Sequence, residues 1–207
     1  MQRRIFLAAG SAALASPQVV RAFDDTIARE PAVPEYLTPK VVRISGTAGP
    51  NEVHVIPDVF SLFLTQADPR QAIRYYVGVG RDSLYESGTF FVGAKKEWPS
   101  WRPTDDMIAR DPGSYKRFED GMPGGPSNPL GARALYLFYP GGGDSFLRIH
   151  GTNLPKTIGF DVSNGCARLV NRHAVDLYNR VALGSKVVLH PKGIMPKQPI
   201  VRVVPQG

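Results

Sequence analysis

Short runs of apolar residues recur between residues 41 and 190, and glycine, proline or polar turn residues separate them. The runs hold about four to eight residues and are rich in β-branched and aromatic side chains, which is typical of strands in a turn-rich fold. The strands predicted from these runs are 41–44, 52–56, 60–65, 72–79, 88–93, 134–139, 145–150 and 186–190, with 200–204 as an added edge strand. The pattern therefore predicts a mainly β domain with a few short helices.

A helical period replaces this pattern after Asn171. The apolar face that it predicts consists of Val175, Tyr178, Val181 and Ala182. With Asn171 as the N-cap and Gly184 as the stop, the predicted helix covers residues 172–183. A second, short helix is predicted to begin after Thr104, because threonine caps helices well and two aspartates stand in the first turn.

Residues 95–115 are predicted to form an irregular, aromatic insertion. Its Trp98 and Trp101 would either form a wall that faces a ligand or pack as a local core. Residues 121–131 are rich in glycine and proline and are predicted to form a loop that helps to line a cleft.

The N-terminus has the pattern of an export signal. Arg3 and Arg4 precede an alanine-rich apolar run that is too short to span a bilayer, and small residues follow it. The order Arg-Arg-x-Phe-Leu resembles a twin-arginine signal, so we expect export to the periplasm by that route. Cleavage is predicted after Ala22, with Ala15 as the alternative, and the lack of a cysteine there argues against a lipoprotein anchor.

The predicted organisation has four parts, namely a signal peptide (1–22), an extended proline-rich linker (23–40), one globular domain (41–190) and a C-terminal extension (191–207). The formal net charge is +7; without the three arginines of residues 1–22, 22 basic and 18 acidic side chains leave +4. Such a small and scattered excess does not indicate a nucleic-acid partner.

Cys166 is the only cysteine of the chain and stands in a polar turn rather than in an apolar run. His150 lies sixteen positions upstream, at the end of a predicted strand. A thiol is a poor nucleophile at neutral pH until a neighbouring imidazole takes its proton or lowers its pKa. Gly165 lets the backbone turn sharply just before the thiol. The pattern therefore predicts a cysteine nucleophile with a histidine base.

The other histidines, His54, His173 and His190, are separated along the chain. They stand on predicted strands or on the predicted helix. None has the spacing of a metal ligand relative to a carboxylate or to Cys166, so we predict no metal and no cofactor.

The segment that holds these residues resembles the catalytic core of the L,D-transpeptidases with a YkuD-type domain. The hallmark of that family is a His-Gly pair followed by Ser-x-Gly-Cys-x-Arg, and here these are His150-Gly151 and Ser163-Asn164-Gly165-Cys166-Ala167-Arg168. The resemblance extends over residues 40–189 and includes 76–81 and 124–131. Many members have histidine where this chain has Asn164, at a position that is not the general base.

The resemblance implies a YkuD-like β-sandwich catalytic domain and assigns roles to both motifs. Cys166 would be the nucleophile and His150 the base. The Gly151 carbonyl would orient the imidazole, as a carboxylate does in a serine triad. Amide groups around Gly165 and Cys166 would form the oxyanion hole.

Four further residues are expected to support the substrate or the oxyanion. Arg168 would either position the substrate near the thiolate or act as a buried hydrogen-bond anchor for the cysteine turn. Ser163 would form the turn and help to hold His150, and Asn164 would tolerate unusual backbone angles. Thr152, directly after the His-Gly pair, completes this supporting group.

The function that the resemblance implies is acyl transfer in cell wall biogenesis, as a peptidoglycan L,D-transpeptidase. The enzyme would release D-Ala from a stem tetrapeptide and pass the acyl group to an amine. A second stem as acceptor would give a 3–3 cross-link, and an outer-membrane protein as acceptor would become attached to the wall. Carbapenem β-lactams are the expected inhibitors.

Several alternatives stay open at this point. Water as the acceptor would make the protein an L,D-carboxypeptidase, and a peptidoglycan-binding module without catalysis is the alternative from another class. Other cysteine enzymes fit less well. In papain-like peptidases the cysteine precedes the histidine, and in sortases the spacing is longer and the arginine lies well beyond the cysteine.

Overall fold

The computed structural model describes residues 17–30, 32–46 and 48–193. Its strands are β1 Lys40–Arg43, β2 Val53–Ile56, β3 Ser61–Thr65, β4 Gln71–Tyr76, β5 Val79–Gly80, β6 Gly88–Glu97, β7 Arg133–Phe138, β8 Asp144–His150, β9 Asp161–Ser163, β10 Ala167–Arg168 and β11 Lys186–Leu189. Its helices are α1 Pro17–Ala28, α2 Asp105–Arg110, α3 Pro112–Tyr115 and α4 Asn171–Arg180. Of these described helices, none is long and apolar enough to cross a bilayer.

Nine strands form one sheet in the order β1-β4-β3-β2-β11-β6-β7-β8-β10, and β5 pairs with β9 in a second, small sheet. Most neighbours in the large sheet are antiparallel, but β11 runs parallel to β2 and β10 runs parallel to β8. The predicted hairpin is present as β7 and β8. The prediction of a mainly β domain with a few short helices is confirmed, and the cysteine segment lies at the edge of the sheet.

One hydrophobic core joins both halves of the nine-stranded sheet. Leu62 and Tyr75 of β3 and β4 belong to the same buried cluster as Leu135 and Ile149 of β7 and β8. Strands this far apart in a flat sheet could not share a core, so the sheet must curve around the cluster. Leu177 of α4 also belongs to it, and full burial of such a side chain contributes about 1.5–3 kcal/mol.

The strand predicted over residues 72–79 is divided in two. β4 ends at Tyr76, and the backbone of Gly78 then exchanges two hydrogen bonds of 2.9 Å with the backbone of Arg168. A side chain at Gly78 would not fit, because its Cβ would lie 2.4 Å from the carbonyl oxygen of Thr157. The chain therefore leaves the large sheet here to brace the cysteine segment.

β6 is longer than predicted, because it runs Gly88–Glu97 where the sequence indicated a strand to residue 93 and an irregular insertion from residue 95. The strand continues through a bulge at Gly93, whose Cβ would lie 2.3 Å from the ring of Phe138. Lys95 then donates from Nζ to two carbonyls at the end of α4, each at 2.6 Å. The pairing of β6 with β7 and these contacts stabilise the end of the strand, although its last three residues are charged.

The prediction of an extended linker over residues 23–40 is wrong at its start, because Pro17–Ala28 form helix α1. Phe23 and Ile27 pack against Trp98. Asp24 accepts a hydrogen bond of 2.9 Å from Trp98 Nε1 and two bonds, of 3.0 and 2.8 Å, from the guanidinium of Arg133. The prolines of residues 23–40 favour an extended linker, but they stand after the residues that form the helix, whose own proline is Pro17 at its start.

Most of the predicted export signal lies in a part of the chain that the structure does not describe. Residues 1–16, with the alternative cleavage site after Ala15, lie outside the described residues, as does the edge strand predicted at 200–204. The preferred site after Ala22 lies within α1. The signal peptide and the limits of the four predicted parts remain predictions.

Both tryptophans of the insertion pack locally instead of forming an open wall. Trp98 is only 4% exposed. Trp101 makes edge-to-face contacts with Tyr115 and Phe118. The predicted start of α2 is confirmed, because the Thr104 hydroxyl accepts a hydrogen bond of 3.2 Å from the third residue beyond it.

His54 and His190 are in contact, whereas the sequence indicated that they were separate. Nδ1 of His54 lies 3.2 Å from Nε2 of His190, and its Nε2 lies 3.2 Å from Glu52. Burial, and then His190 and Lys186, lower the pKa of His54 to about 4 against the opposing effect of Glu52. Burial also lowers the pKa of His173 to about 4. Within the described ranges, no three ligating side chains gather as a metal site would require.

We expect the protein to lose stability as the pH falls from about 6.5, the ordinary histidine pKa, toward about 4. The pKa values of His54 and His173 are lower in the native than in the unfolded state, so acid favours the unfolded state, which binds more protons. Each histidine should remove on the order of 2 kcal/mol by about pH 5, measurable by urea unfolding at that pH and at about pH 7. The variant His173→Gln should lose less free energy of unfolding on acidification than the wild type, because one of the two histidines is absent. Equal free energies of unfolding for the wild type at both pH values would contradict this prediction.

Candidate active site

The strands β8 and β10 bring the two predicted motifs together. They run parallel, with Ala167 opposite Ile149 and Arg168 opposite His150. Cys166 directly precedes β10 and therefore lies beside Arg148. Alternate residues of a strand project from the same face, so Arg148 and His150 share one face of β8.

His150 is 4% exposed, and its Nδ1 lies 2.5 Å from the carbonyl oxygen of Gly151. A carbonyl can only accept a hydrogen bond, so Nδ1 carries the proton and Nε2 of the neutral ring is left as a base. Burial, and then the charge of Arg168, lowers the pKa of His150 to about 3, although the carbonyls of Gly151 and Leu130 oppose this shift. The imidazole is therefore neutral at physiological pH.

The side chain of Asn171 holds the peptide group between Gly151 and Thr152. Its Oδ1 accepts hydrogen bonds from the amides of Thr152, at 3.1 Å, and Ala132, at 2.9 Å. Asn171 was predicted as the N-cap of the helix, but it is the first residue of α4 and its side chain points inward. Gly151 leaves the space for it, because a Cβ there would lie 2.3 Å from Oδ1.

The turn before Cys166 is built by Ser163 and Gly165. The Ser163 hydroxyl donates to the Cys166 carbonyl at 2.5 Å and accepts from the Gly165 amide at 3.3 Å, which agrees with the predicted turn-forming role. Gly165 has φ of +117°, which side chains rarely permit, and its Cβ would lie 2.8 Å from the Leu84 carbonyl. Because the Gly165 amide is engaged, a role in an oxyanion hole would require it to exchange this long bond.

The thiol of Cys166 is neutral in this environment. Burial raises its pKa, and this outweighs the nearby backbone N–H of Arg148 and the charges of Arg148 and Arg168, which lower the pKa. Although both groups are in the described part of the chain, no hydrogen bond joins the Cys166 thiol to the His150 ring. The resting geometry thus favours proton transfer to His150 during attack over a preformed thiolate–imidazolium pair.

The anchoring role predicted for Arg168 is carried by its backbone, whereas its predicted role in positioning the substrate stays a prediction. Its backbone anchors the cysteine segment to Gly78, while its side chain makes one long contact, of 3.5 Å, between Nη1 and Thr157 Oγ1. Nε is buried, and it has no hydrogen-bond partner among the described residues. Its positive charge is therefore available to a negative group that forms or binds beside Cys166.

Arg148 is a site residue that the sequence prediction missed. Its guanidinium donates to both carboxylate oxygens of Asp144, at 2.6 and 2.7 Å, and stacks 3.9 Å from the ring centre of Tyr136. The signal was the two-residue spacing from His150, which places the guanidinium on the same strand face. Because Arg148 is paired with Asp144, it lowers the pKa of the Cys166 thiol less than an unpaired cation would.

Asn164 and Thr152 support the site differently from each other. Asn164 is not among the residues with positive φ, so the prediction of unusual backbone angles is not supported. Its side chain instead accepts from Arg110 at 2.9 Å and donates to the Tyr115 hydroxyl at 2.8 Å, which ties the cysteine turn to α2 and α3. Thr152 is buried, and its hydroxyl accepts from the amide of Leu154 at 3.0 Å.

Comparison with known proteins gives one family. The family model YkuD, described as the L,D-transpeptidase catalytic domain, matches residues 53–189. The Escherichia coli protein named Probable L,D-transpeptidase YbiS is 38% identical over 96 residues, which are 46% of this chain and 29% of YbiS. The curated relatives are matched over 29% to 57% of their own lengths.

Two solved structures share the fold. A Brucella melitensis protein, named a probable carnitine operon oxidoreductase, is 42% identical with a TM-score of 0.51, over 80% of this chain and 99% of that chain. A mutant Enterococcus faecium L,D-transpeptidase is 15% identical with a TM-score of 0.51, over 69% of this chain and 50% of that chain. At this low identity the second likeness concerns the fold alone.

The pH dependence of alkylation should reveal the state of the thiol. Because burial raises the pKa of Cys166, the rate of reaction with iodoacetamide should still be rising above about pH 8.5, the ordinary cysteine value. The adduct on the single cysteine can be counted by mass spectrometry, with free glutathione treated in parallel as the control. A rate that is already constant from about pH 5 upward would reveal a preformed ion pair and contradict the assignment.

Proposed function

The chain belongs to the L,D-transpeptidase family with a YkuD catalytic domain and has its mainly β fold, and we propose that it is a peptidoglycan L,D-transpeptidase with Cys166 as nucleophile. The observation that carries this proposal is the hydrogen bond from His150 Nδ1 to the Gly151 carbonyl. This bond leaves Nε2 as an unprotonated base on the strand next to the cysteine turn. The name of the Brucella melitensis relative refers to redox chemistry, but the proposal rests on this thiol and imidazole.

Acyl transfer would begin with attack of the Cys166 sulfur on the carbonyl between the third residue of a stem tetrapeptide, a diamino acid, and the terminal D-Ala. The thiol proton passes to His150 Nε2 as the carbon–sulfur bond forms. The carbon–nitrogen bond then breaks, and His150 returns the proton to the amine of the leaving D-Ala. A thioester remains on Cys166.

The charges around the site suit this reaction. A neutral thiol and a neutral imidazole avoid the cost of two buried ions in the resting protein. Negative charge appears on the carbonyl oxygen during attack, and the half-buried side chain of Arg168, whose Nε is buried, is available nearby to stabilise it. Backbone amides of the cysteine turn would add oxyanion donors, each worth about 2.7–4 kcal/mol in comparable enzymes.

The second half of the reaction depends on the acceptor. The amine of a second stem would give a 3–3 cross-link, and a lysine of an outer-membrane protein would attach that protein to the wall. Water would give a tripeptide, which is the carboxypeptidase alternative. Export of the chain to the periplasm by the twin-arginine route is part of the proposal, supported by the pattern of residues 1–22.

Carbapenem β-lactams should acylate Cys166, because their strained carbonyl is an alternative target for the same thiol. One solved structure with a TM-score of 0.52 and 16% identity is described as the avibactam carbamoyl enzyme of Ldtfm. That description concerns the other protein and a different class of inhibitor, so the expectation for this chain rests on the thiol of Cys166.

Turnover should depend on Cys166. The mature protein, which begins at Phe23 after cleavage at the preferred site, would be incubated with purified disaccharide-tetrapeptide and the products identified by mass spectrometry. A dimer that has lost one D-Ala is expected. Cys166→Ala should reduce its formation by at least about a thousandfold, because the nucleophile is removed.

The control is Thr38→Ala, a change at an exposed position outside the site, which should leave turnover unchanged. Tripeptide with free D-Ala and no dimer would shift the function to hydrolysis. An absence of turnover, with binding to peptidoglycan sacculi unchanged in Cys166→Ala, would contradict the enzyme proposal and leave a binding module.

A further inference from the structure

Helix α1 reaches the candidate active site through its C-terminal end. Glu30, two residues beyond the helix, accepts a hydrogen bond of 2.7 Å from Asn171 Nδ2. Next to it, the guanidinium of Arg172 donates to the carbonyls of Ile27, Ala28 and Glu30, at 3.3, 3.2 and 2.7 Å. The carbonyls of Ile27 and Ala28 lie in the last turn of α1, where a helix has no intrahelical donors for its carbonyls, so the contacts fasten α1 to the start of α4.

The carboxylate of Glu30 determines which way the Asn171 amide points. An ionised carboxylate only accepts hydrogen bonds, so the NH₂ group must face Glu30. Oδ1 then faces the amides of Ala132 and Thr152, as observed. A flipped amide would direct NH₂ at two N–H donors and lose all three bonds.

The same peptide group carries this constraint to the imidazole. The Thr152 N–H, bonded to Asn171, and the Gly151 C=O, bonded to His150 Nδ1, belong to one planar peptide unit. In a trans peptide these two bonds point in opposite directions. Holding the N–H from one side therefore aims the carbonyl at the imidazole on the other side.

We propose that residues 23–30 form a positioning element of the active site, in which Glu30 and Asn171 act as positioning residues that hold the Gly151 carbonyl against His150. The inference rests on the proposed function and deepens it. Neither residue touches the reacting atoms. Cleavage at either predicted signal site would leave Glu30 in the mature chain.

The structure provides matched variants for a test. α1 is also fastened at its middle by the bonds between Asp24, Trp98 and Arg133, so a change at Glu30 should leave the helix docked. Glu30→Ala removes the acceptor, whereas Glu30→Gln keeps an oxygen that can accept from Asn171. Arg29→Ala changes the exposed residue directly before Glu30, just beyond α1, and is the control.

Glu30→Ala should reduce kcat of the acyl transfer by about tenfold with little change in KM, because the base is misaligned while the substrate contacts remain. Glu30→Gln should recover most of the lost rate, and Arg29→Ala should match the wild type. In Asn171→Asp, a second carboxylate would face Glu30, so the rate should fall and then recover when Glu30→Gln is added. A wild-type kcat in Glu30→Ala, or an equal loss in Glu30→Ala and Glu30→Gln, would overturn the proposal.

A second measurement does not depend on activity. Hydrogen exchange of the Thr152 amide, followed by NMR, should be at least about tenfold faster in Glu30→Ala than in the wild type or in Arg29→Ala. Unchanged exchange would overturn the link between Glu30 and the peptide group. If the wild type showed no acyl transfer, the proposed function would fail, and the exchange rates would still decide whether α1 positions this peptide.

Discussion

The peptide group between Gly151 and Thr152 donates a hydrogen bond on one side and accepts one on the other, and the geometry of the candidate site depends on it. Its carbonyl keeps the proton of His150 on Nδ1, and its N–H is held by Asn171. The place that the carboxylate occupies in a serine triad is thus taken by a backbone carbonyl. A backbone carbonyl has no side-chain torsion that could reorient it. Its direction is therefore fixed by the hydrogen bonds that hold the rest of the peptide group.

The electrostatic setting of the site follows from burial. The His150 ring and the Cys166 thiol are each kept neutral, because removal from water penalises their charged forms more than their neighbours favour them. Arg168 is a half-buried cation whose side chain has few contacts within the described structure. In the proposed reaction, the charge of Arg168 would face the negative charge that arises during attack, and no resting thiolate would neutralise it in advance.

The candidate catalytic residues can be recognised in the sequence, whereas the residues that hold them in place cannot. Cys166 and His150 were recognisable because a lone thiol in a glycine turn and a histidine at a strand end form a local pattern. Asn171 has the sequence context of a helix cap, and only the fold shows that its side chain points at backbone amides 19 and 39 positions away. The role of Glu30 depends on a contact between residues 141 positions apart.

The regular strands were predicted more accurately than the places where the chain departs from a regular strand. Gly78 and Gly93 were included in simple strand patterns, but close approach of other chain segments makes the first leave the large sheet and the second form a bulge. Helix α1 was missed because its apolar spacing overlaps the region assigned to the export segment and the linker. These errors all come from tertiary contacts, which a local pattern does not contain.

The state of the His150 ring is the most direct test of this account. Nitrogen-15 NMR of the imidazole distinguishes the two neutral tautomers from each other and from the imidazolium. The structure predicts a neutral ring with the proton on Nδ1, and no protonation on acidification until the pH approaches about 3, the pKa in the buried site. An imidazolium at about pH 7, or a neutral ring with the proton on Nε2, would contradict the account, since neither leaves Nε2 free to accept the thiol proton.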